Sequence, residues 1–123
     1  SSVAVNRPPE PYVSTQACTN IALTSVTGNG NILGIGSGSP TIRGFCYKVG
    51  TTGDPTTADS TVYDTGTFST GVFTKSITGL TAGTNYRVRA YAVNSAGTGY
   101  GSTVQVTTLE DIKDNAIFFG MNF

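Results

Sequence analysis

The sequence contains no histidine and no tryptophan, and only 11% of its residues are charged. Without histidine the chain cannot build a Ser-His-Asp or Cys-His nucleophile pair, and every histidine-ligated metal site is excluded. Two cysteines without a CxxC spacing, beside only seven acidic residues, leave a zinc site short of ligands. The glycine-rich run GNGNILGIGSGSP lacks the GK[ST] ending of a phosphate loop. We therefore expect no enzymatic activity and no metal or other cofactor.

The chain also lacks an excess of charge of either sign. Seven basic and seven acidic residues give a formal net charge of zero, and Arg87 and Arg89 are the only close basic pair. A nucleic-acid-binding domain normally carries a basic patch, so we expect no nucleic-acid partner. No apolar run reaches the length of a signal peptide or a membrane span, so we expect no membrane insertion.

Glycine, threonine and serine are abundant in this chain, whose 123 residues fit one domain. This composition favours strands and tight turns over helices. Low charge and many threonines also resemble the surfaces of proteins that work outside cells or on virus particles. We therefore expect an extracellular location, on a virion surface or a bacterial cell surface.

Short strand-like runs separated by turn signals follow a proline-rich start. Residues 1–11 (SSVAVNRPPEP) predict an extended arm, because Pro8, Pro9 and Pro11 block helix formation and interior strand pairing. The runs that predict strands are residues 12–19, 24–33, 41–49, 60–64, 71–77, 85–94 and 100–107. Seven short strands with glycine-, proline- and threonine-rich loops are typical of an antiparallel sandwich.

The strand predicted at residues 85–94 shows the clearest alternation. Tyr86, Val88, Ala90 and Ala92 share one face, which we expect to lie in the core. Arg87, Arg89, Tyr91 and Val93 share the other face, which we expect to be solvated, with the arginine stems lying along neighbouring aromatic rings.

A family resemblance begins at the turn before this strand. The segment LTAGTNY, with Leu80 and Tyr86 at its ends, and the following RVRAYAVNSAG resemble the EF corner and F strand of fibronectin type III domains. In that family the leucine packs under the corner and the tyrosine hydroxyl closes it. SPTIRGFCYKVG and VQVTT are similar to strands C and G of the bacterial and phage surface-protein type. The resemblance implies a seven-stranded antiparallel Greek-key sandwich of the immunoglobulin-like class over residues 12–108.

Two features separate the chain from animal members of this family. The strand B tryptophan that is common in those members is missing, and the run at residues 24–33 is rich in glycine and asparagine. No RGD tripeptide is present, so the integrin-binding role of some members does not carry over.

Cys18 and Cys46 are either two separate buried thiols or a disulfide. Extracellular surroundings favour a bridge, whereas the resemblance places the two residues on strands of different sheets. Asp54, Asp59 and Asp64 could suggest calcium, but they are five residues apart, whereas calcium loops space their ligands two apart. We interpret them as solvated turn residues.

Exposed aromatic rings are candidates for stacking on sugars. Most aromatic residues must fill the core of a domain without tryptophan. Tyr63 and Phe68 flank a glycine- and threonine-rich turn and are the best candidates for ligand-facing rings. The other aromatic residues that we considered are Tyr47, Phe73, Tyr91 and Tyr100.

The last segment, residues 109–123 (LEDIKDNAIFFGMNF), lies beyond the end of a fibronectin-type domain. A charged piece leads into AIFFGMNF, whose alternation predicts a strand. Three interpretations stay open: the tail folds back on its own domain, begins a further domain, or docks on a neighbouring subunit by strand addition. Its apolar residues are Ile117, Phe118, Phe119, Met121 and Phe123.

The function class that these observations favour is a structural one. An adhesive module needs aromatic loops, whereas an assembly subunit needs ends that meet partners, and this chain places its spare apolar residues in the tail. We expect a structural, assembly-competent module on a virion or a bacterial surface filament, with copies of itself or other structural proteins as partners. The alternative is an adhesive module that binds surface glycans or host-surface proteins through its loops.

Overall fold

A computed structural model describes residues 9–111 and shows an all-β chain. Its seven strands are β1 (Tyr12–Thr19), β2 (Val26–Gly34), β3 (Ile42–Val49), β4 (Ser60–Thr65), β5 (Gly71–Ile77), β6 (Asn85–Asn94) and β7 (Gly97–Thr107). They form a three-stranded sheet, β1-β2-β5, and a four-stranded sheet, β4-β3-β6-β7. Every pairing is antiparallel, so the predicted sandwich fold is confirmed. Within the described residues no helix is long and apolar enough to cross a membrane.

Strands β1, β5 and β6 have the predicted bounds, but β7 begins at Gly97, three residues before the predicted start. Gly97 pairs with Asn94, so the cluster that looked like a loop is a tight hairpin. Gly99 then lies against the backbone of Pro11, just before β1, and Gly101 against that of Ser14 and Thr15 in β1, where no Cβ would fit. Glycine is needed here because β1 and β7 belong to different sheets and touch through their backbones.

The glycines of β2 make room for the centre of the core. Phe45 and Phe73 lie 5.2 Å apart between their ring centroids, one from each sheet. A Cβ at Gly28 would lie 3.0 Å from the Phe45 ring, and one at Gly30 would lie 2.8 Å from the Phe73 ring. The rings of Phe45 in β3 and Phe73 in β5 therefore fill the centre of the core. Strand β2 has glycines beside these rings and not the tryptophan that is common in animal members of the family.

All seven strands contribute to this core. Its buried members are Val13, Val26, Ile32, Phe45, Phe73, Ile77, Leu80, Tyr86, Val88, Ala90, Ala92 and Val106, and Val62 of β4 packs against them. The predicted core face of β6 is thus confirmed. Together these residues close the space between the two sheets within residues 13–106.

The two sides of the sandwich are closed by different interactions. On the β1–β7 side, a bulge in β7 opposite Ala90 interrupts the ladder, and the Ala90 N–H donates to the Thr15 hydroxyl at 2.9 Å. On the β4–β5 side, the Lys75 ammonium of β5 pairs with the Asp64 carboxylate of β4 at 2.8 Å. Charges beside these two edge strands oppose pairing with the edge of another sheet.

Candidate functional surfaces

The chain leaves the domain at a pole built around the predicted corner. The Tyr86 hydroxyl accepts a hydrogen bond from the Thr81 N–H at 2.8 Å, and Leu80 is buried below it. The Thr108 hydroxyl donates to the Thr81 carbonyl at 2.6 Å and accepts from the Thr84 N–H at 3.0 Å. The structure thus contains the tyrosine corner that the sequence predicted, and Thr108 fastens the end of β7 to it.

Beyond Thr108 the backbone of Leu109 is held on both sides. Its N–H donates to the Ala22 carbonyl at 3.0 Å, and its carbonyl accepts from the Gly83 N–H at 2.8 Å. We call this end of the domain, formed by residues 20–25, 79–84 and 108–109, the exit pole. Its backbone is fixed, yet the side chains of Ile21, Leu23 and Leu109 are 40%, 41% and 53% exposed.

The opposite end, the entry pole, is organised by Asn94. This side chain is buried, and its Nδ2 lies 2.8 Å from the Pro9 carbonyl, 3.0 Å from that of Ile35 and 3.3 Å from that of Gly38. Its Oδ1 accepts from the N–H groups that follow it, those of Ala96 and Gly97. One amide therefore ties the end of the arm to two turns (residues 35–38 and 94–97), a role that the sequence pattern did not reveal.

Residues 50–59, the covering loop, lie across the outer face of the four-stranded sheet. The Arg87 Nε donates to the Gly53 carbonyl at 3.0 Å, and the Arg89 Nη1 donates to the Pro55 carbonyl at 3.2 Å. The Tyr100 hydroxyl accepts from the Thr57 N–H at 3.1 Å. The prediction that this face is solvated is therefore wrong in its centre, because the loop folds back over it.

Tyr91 shows the consequence most directly. It was expected in solvent, but it is 3% exposed and lies 6.4 Å from the Tyr100 ring. Burial raises the pKa of Tyr91 to about 12. The expected stacking of an arginine on an aromatic ring is present, since the Arg89 guanidinium lies 4.4 Å from the Tyr100 centroid.

The two cysteines are free thiols on different sheets. Cys46 is fully buried on the outer face of β3, opposite Arg89, whereas Cys18 packs against the inter-sheet core. The four-stranded sheet thus separates the two sulfurs, and of the two alternatives the structure contains separate thiols. Burial raises the pKa of Cys18 to about 11 and that of Cys46 to about 12, so both thiols stay protonated at neutral pH.

The three aspartates considered for calcium have separate partners. Asp54 accepts from the Thr103 hydroxyl at 2.7 Å, a bond that lowers the pKa of this carboxyl. Asp59 accepts from the Thr56 N–H at 2.8 Å, and Asp64 pairs with Lys75. Within residues 9–111 no group of three or more Cys, Asp or Glu residues could hold a metal ion.

Tyr63 and Phe68, the candidate ligand-facing rings, have different surroundings. Tyr63 lies on the outer side of β4 and is 50% exposed. Phe68 is partly buried against the core, and the Arg43 guanidinium lies 4.2 Å from its centroid and 5.3 Å from that of Phe73. The contacts of Phe68 with the core and with Arg43 therefore explain this ring without a ligand. The Arg43 Nε is the one buried side-chain nitrogen or oxygen of the described residues without a hydrogen-bond partner.

The outer face of the three-stranded sheet has no covering element in residues 9–111. Its outward side chains alternate with the core residues of β2 and β5 and carry only amides and hydroxyls along most of its length. They are Ser14, Gln16, Thr19, Thr27, Asn29, Asn31, Thr74 and Ser76. Tyr12, Leu33 and Val72 form the apolar end of this face and are 63%, 46% and 77% exposed.

Part of the predicted organisation falls outside the described residues. This applies to residues 1–8 of the proline-rich arm. It applies equally to the apolar tail residues Ile117, Phe118, Phe119, Met121 and Phe123. Their predicted roles remain predictions.

The strand order, the inter-sheet core and the tyrosine corner define a fibronectin type III sandwich, one of the immunoglobulin-like folds. Solved structures agree with this assignment, although no protein-family model and no curated protein matches the sequence. A fibronectin type III domain of human collagen XX superposes with a TM-score of 0.56 at 18% identity, over 88% of this chain and 99% of that one.

Two further structures show how widely this fold is used. The sensor domain of the anti-sigma factor RsgI4 from Pseudobacteroides cellulosolvens gives a TM-score of 0.62 at 13% identity, over 87% of this chain and all of that one. The domain of human fibronectin type III domain containing protein 3 gives 0.54 at 18% identity, over 91% and 95%. At these identities the likeness establishes the fold alone.

Proposed function

We propose that this chain is a non-enzymatic structural module on the exterior of a virion or a bacterial surface filament. In this proposal its tail, residues 109–123, docks on a neighbouring subunit or domain. The observation that carries the proposal is that the core closes within residues 13–106 and draws on all seven strands. The five apolar side chains between residues 117 and 123 are therefore not needed to complete it. Apolar residues beyond a finished core favour burial against a partner.

The state of the cysteines is compatible with an exterior location. A thiol reacts with oxidants as its thiolate, and burial raises the pKa of both thiols to about 11 or 12. The chain can therefore keep two unpaired cysteines in an oxidising environment. The low charge and the many surface threonines also favour this location.

Light scattering on the full chain and on a chain ending at Asp111 tests the proposal. The shorter chain keeps Thr108 and both backbone hydrogen bonds of Leu109, so we expect it to fold as a monomer. The full chain is expected to associate. Circular dichroism and thermal melting of both chains control for folding. If the full chain is also a monomer at every concentration up to the solubility limit, docking on copies of itself is wrong.

A second candidate function is glycan binding, and the uncharged outer face of the three-stranded sheet favours it. Amide and hydroxyl groups without charge are suited to the hydroxyls of neutral sugars, and the half-exposed Tyr63 could stack on a sugar from the opposite sheet. Calorimetric titration with neutral oligosaccharides tests this candidate. A heat of binding that the unmodified chain shows and that Asn29→Ala or Tyr63→Ala lacks would support glycan binding. The variant that lacks it would identify which face binds the sugar.

A further inference from the structure

The exit pole carries an apolar surface whose backbone is already in place. The Leu109 N–H donates to the carbonyl of Ala22, the residue between Ile21 and Leu23, so all three exposed residues lie within one residue of this 3.0 Å hydrogen bond. We call these three residues the exit patch. Because their backbone is anchored, covering the patch requires little ordering of the domain itself.

The tail is attached directly beside this patch. Seven residues, 110–116, separate Leu109 from Ile117, so Ile117 can lie at most about 29 Å from Leu109. Val72 and Leu33 also expose apolar surface, but they lie towards the entry pole. Leu33 lies seven residue steps along β2 from Val26 near the exit pole, a distance of about 23 Å. Val49 is exposed at the exit end of β3, but the exit patch contains Leu109, the residue from which the tail continues.

We infer that the exit patch of one copy receives the apolar tail of a second copy, in a reciprocal exchange that closes a pair. This inference rests on the proposed function and specifies the surface on which the tail docks. The donor segment and the acceptor surface share one pole, so two copies that meet pole to pole satisfy both contacts at once. Such an interface is isologous and closes at two.

The direction of the chain favours a second copy over the tail's own domain. Strand β7 runs towards the exit pole and ends at Thr107, and Thr108 and Leu109 continue to its surface. A tail that covered its own patch would have to reverse direction within residues 110–116. Four of these seven residues are charged, Glu110, Asp111, Lys113 and Asp114, and like charges in a linker favour an extended chain that can cross to a facing copy.

Sedimentation equilibrium of full-length variants tests the acceptor. Phe119→Asp alters the tail, Leu23→Lys alters the patch, and Val72→Lys is the matched control on an apolar side chain that is 77% exposed. We expect a dimer for the unmodified chain and for Val72→Lys. We expect the dissociation constant to rise at least about tenfold in both other variants, because each brings a charge into the apolar contact.

The outcomes separate the two proposals. If Phe119→Asp dissociates the chain but Leu23→Lys behaves like Val72→Lys, the tail docks elsewhere and the exit patch is not its acceptor. Assemblies larger than two overturn the closed pair and leave the proposed function standing. A monomeric full chain overturns this inference and restricts the proposed function to docking on a different protein or domain.

A disulfide test distinguishes exchange from self-coverage. In a Cys18→Ala background, Leu23→Cys with Phe119→Cys is expected to give a covalent dimer on a non-reducing gel after mild oxidation. An internal bond in a monomer, detected by mass as the loss of two thiol hydrogens, would show that the tail covers its own patch. Either single-cysteine variant alone controls for unspecific cross-linking.

Discussion

The two poles of this sandwich are finished in opposite ways. At the entry pole the buried Asn94 amide bonds to the Pro9, Ile35 and Gly38 carbonyls and to the N–H groups after it. At the exit pole the backbone is equally well bonded, but Ile21, Leu23 and Leu109 stay 40–53% exposed. The entry pole pairs its polar groups beside the exposed side chains of Tyr12, Leu33 and Val72, whereas the exit pole exposes apolar side chains at the point where the tail begins.

In the proposed function, the exit pole is the end of the domain that meets a partner. Buried polar groups that are fully paired gain nothing from a further contact, whereas exposed apolar side chains gain free energy when water is removed from them.

The largest effect is expected at the entry pole, from Asn94→Asp. The new carboxylate would face three carbonyl oxygens in place of a donor, and we expect the free energy of unfolding at pH 7 to fall by about 3–5 kcal/mol. Burial should raise the pKa of this carboxyl, so its protonation should recover part of the loss below about pH 5. Urea unfolding at both pH values measures this, with Asn31→Asp on the outer sheet face as control. Equal losses in the two variants would contradict the role assigned to Asn94.

A smaller effect is expected from Thr108→Val at the exit pole. The exchange keeps the side-chain shape but removes the hydroxyl that bonds to Thr81 and Thr84, so we expect a loss of about 2 kcal/mol. Chemical denaturation of the chain ending at Asp111 isolates the domain from any association. The exposed Thr74→Val serves as control. If Thr108→Val loses no more unfolding free energy than Thr74→Val, the end of β7 is held only by its backbone hydrogen bonds to β6.

The smallest effect is expected from Leu109→Ser in the same shortened chain. Its two hydrogen bonds are made by the backbone and its side chain is 53% exposed, so stability should change by no more than about 0.5 kcal/mol. Thermal melting measures this beside Leu80→Ala, which removes a buried side chain and should cost about 3 kcal/mol. A loss for Leu109→Ser close to that of Leu80→Ala would show that the exit patch belongs to the core.

The local sequence pattern was sufficient to predict much of this fold. Strands β1, β5 and β6 could be bounded because alternation begins and stops beside glycine, proline or asparagine. The corner residues Leu80 and Tyr86 could be placed because the spacing of that motif is itself local. The start of β7 was missed because its glycines resemble loop residues until β1 is known to lie against them.

The surfaces depended on contacts that no local pattern contains. Asn94 joins segments 56 to 85 residues away in the sequence, so its own neighbours suggest only a turn. Arg87, Arg89 and Tyr91 alternate like any solvated face, and their burial depends on where the covering loop lies. A signal was nevertheless present, because Tyr91 is an aromatic residue on the face expected to be polar, and Pro55 stiffens the loop that covers it.

The side-by-side course of β1 and β7 has a mechanical consequence. Both strands run from the entry pole to the exit pole, and the chain enters at one end and leaves at the other. Tension between the ends therefore pulls β1 and β7 in opposite directions along their own axes. The hydrogen bonds of the β1–β2 and β6–β7 ladders are then loaded together in shear instead of one at a time. Resistance to force depends on the unfolding rate, and this geometry suits a module that must carry a load.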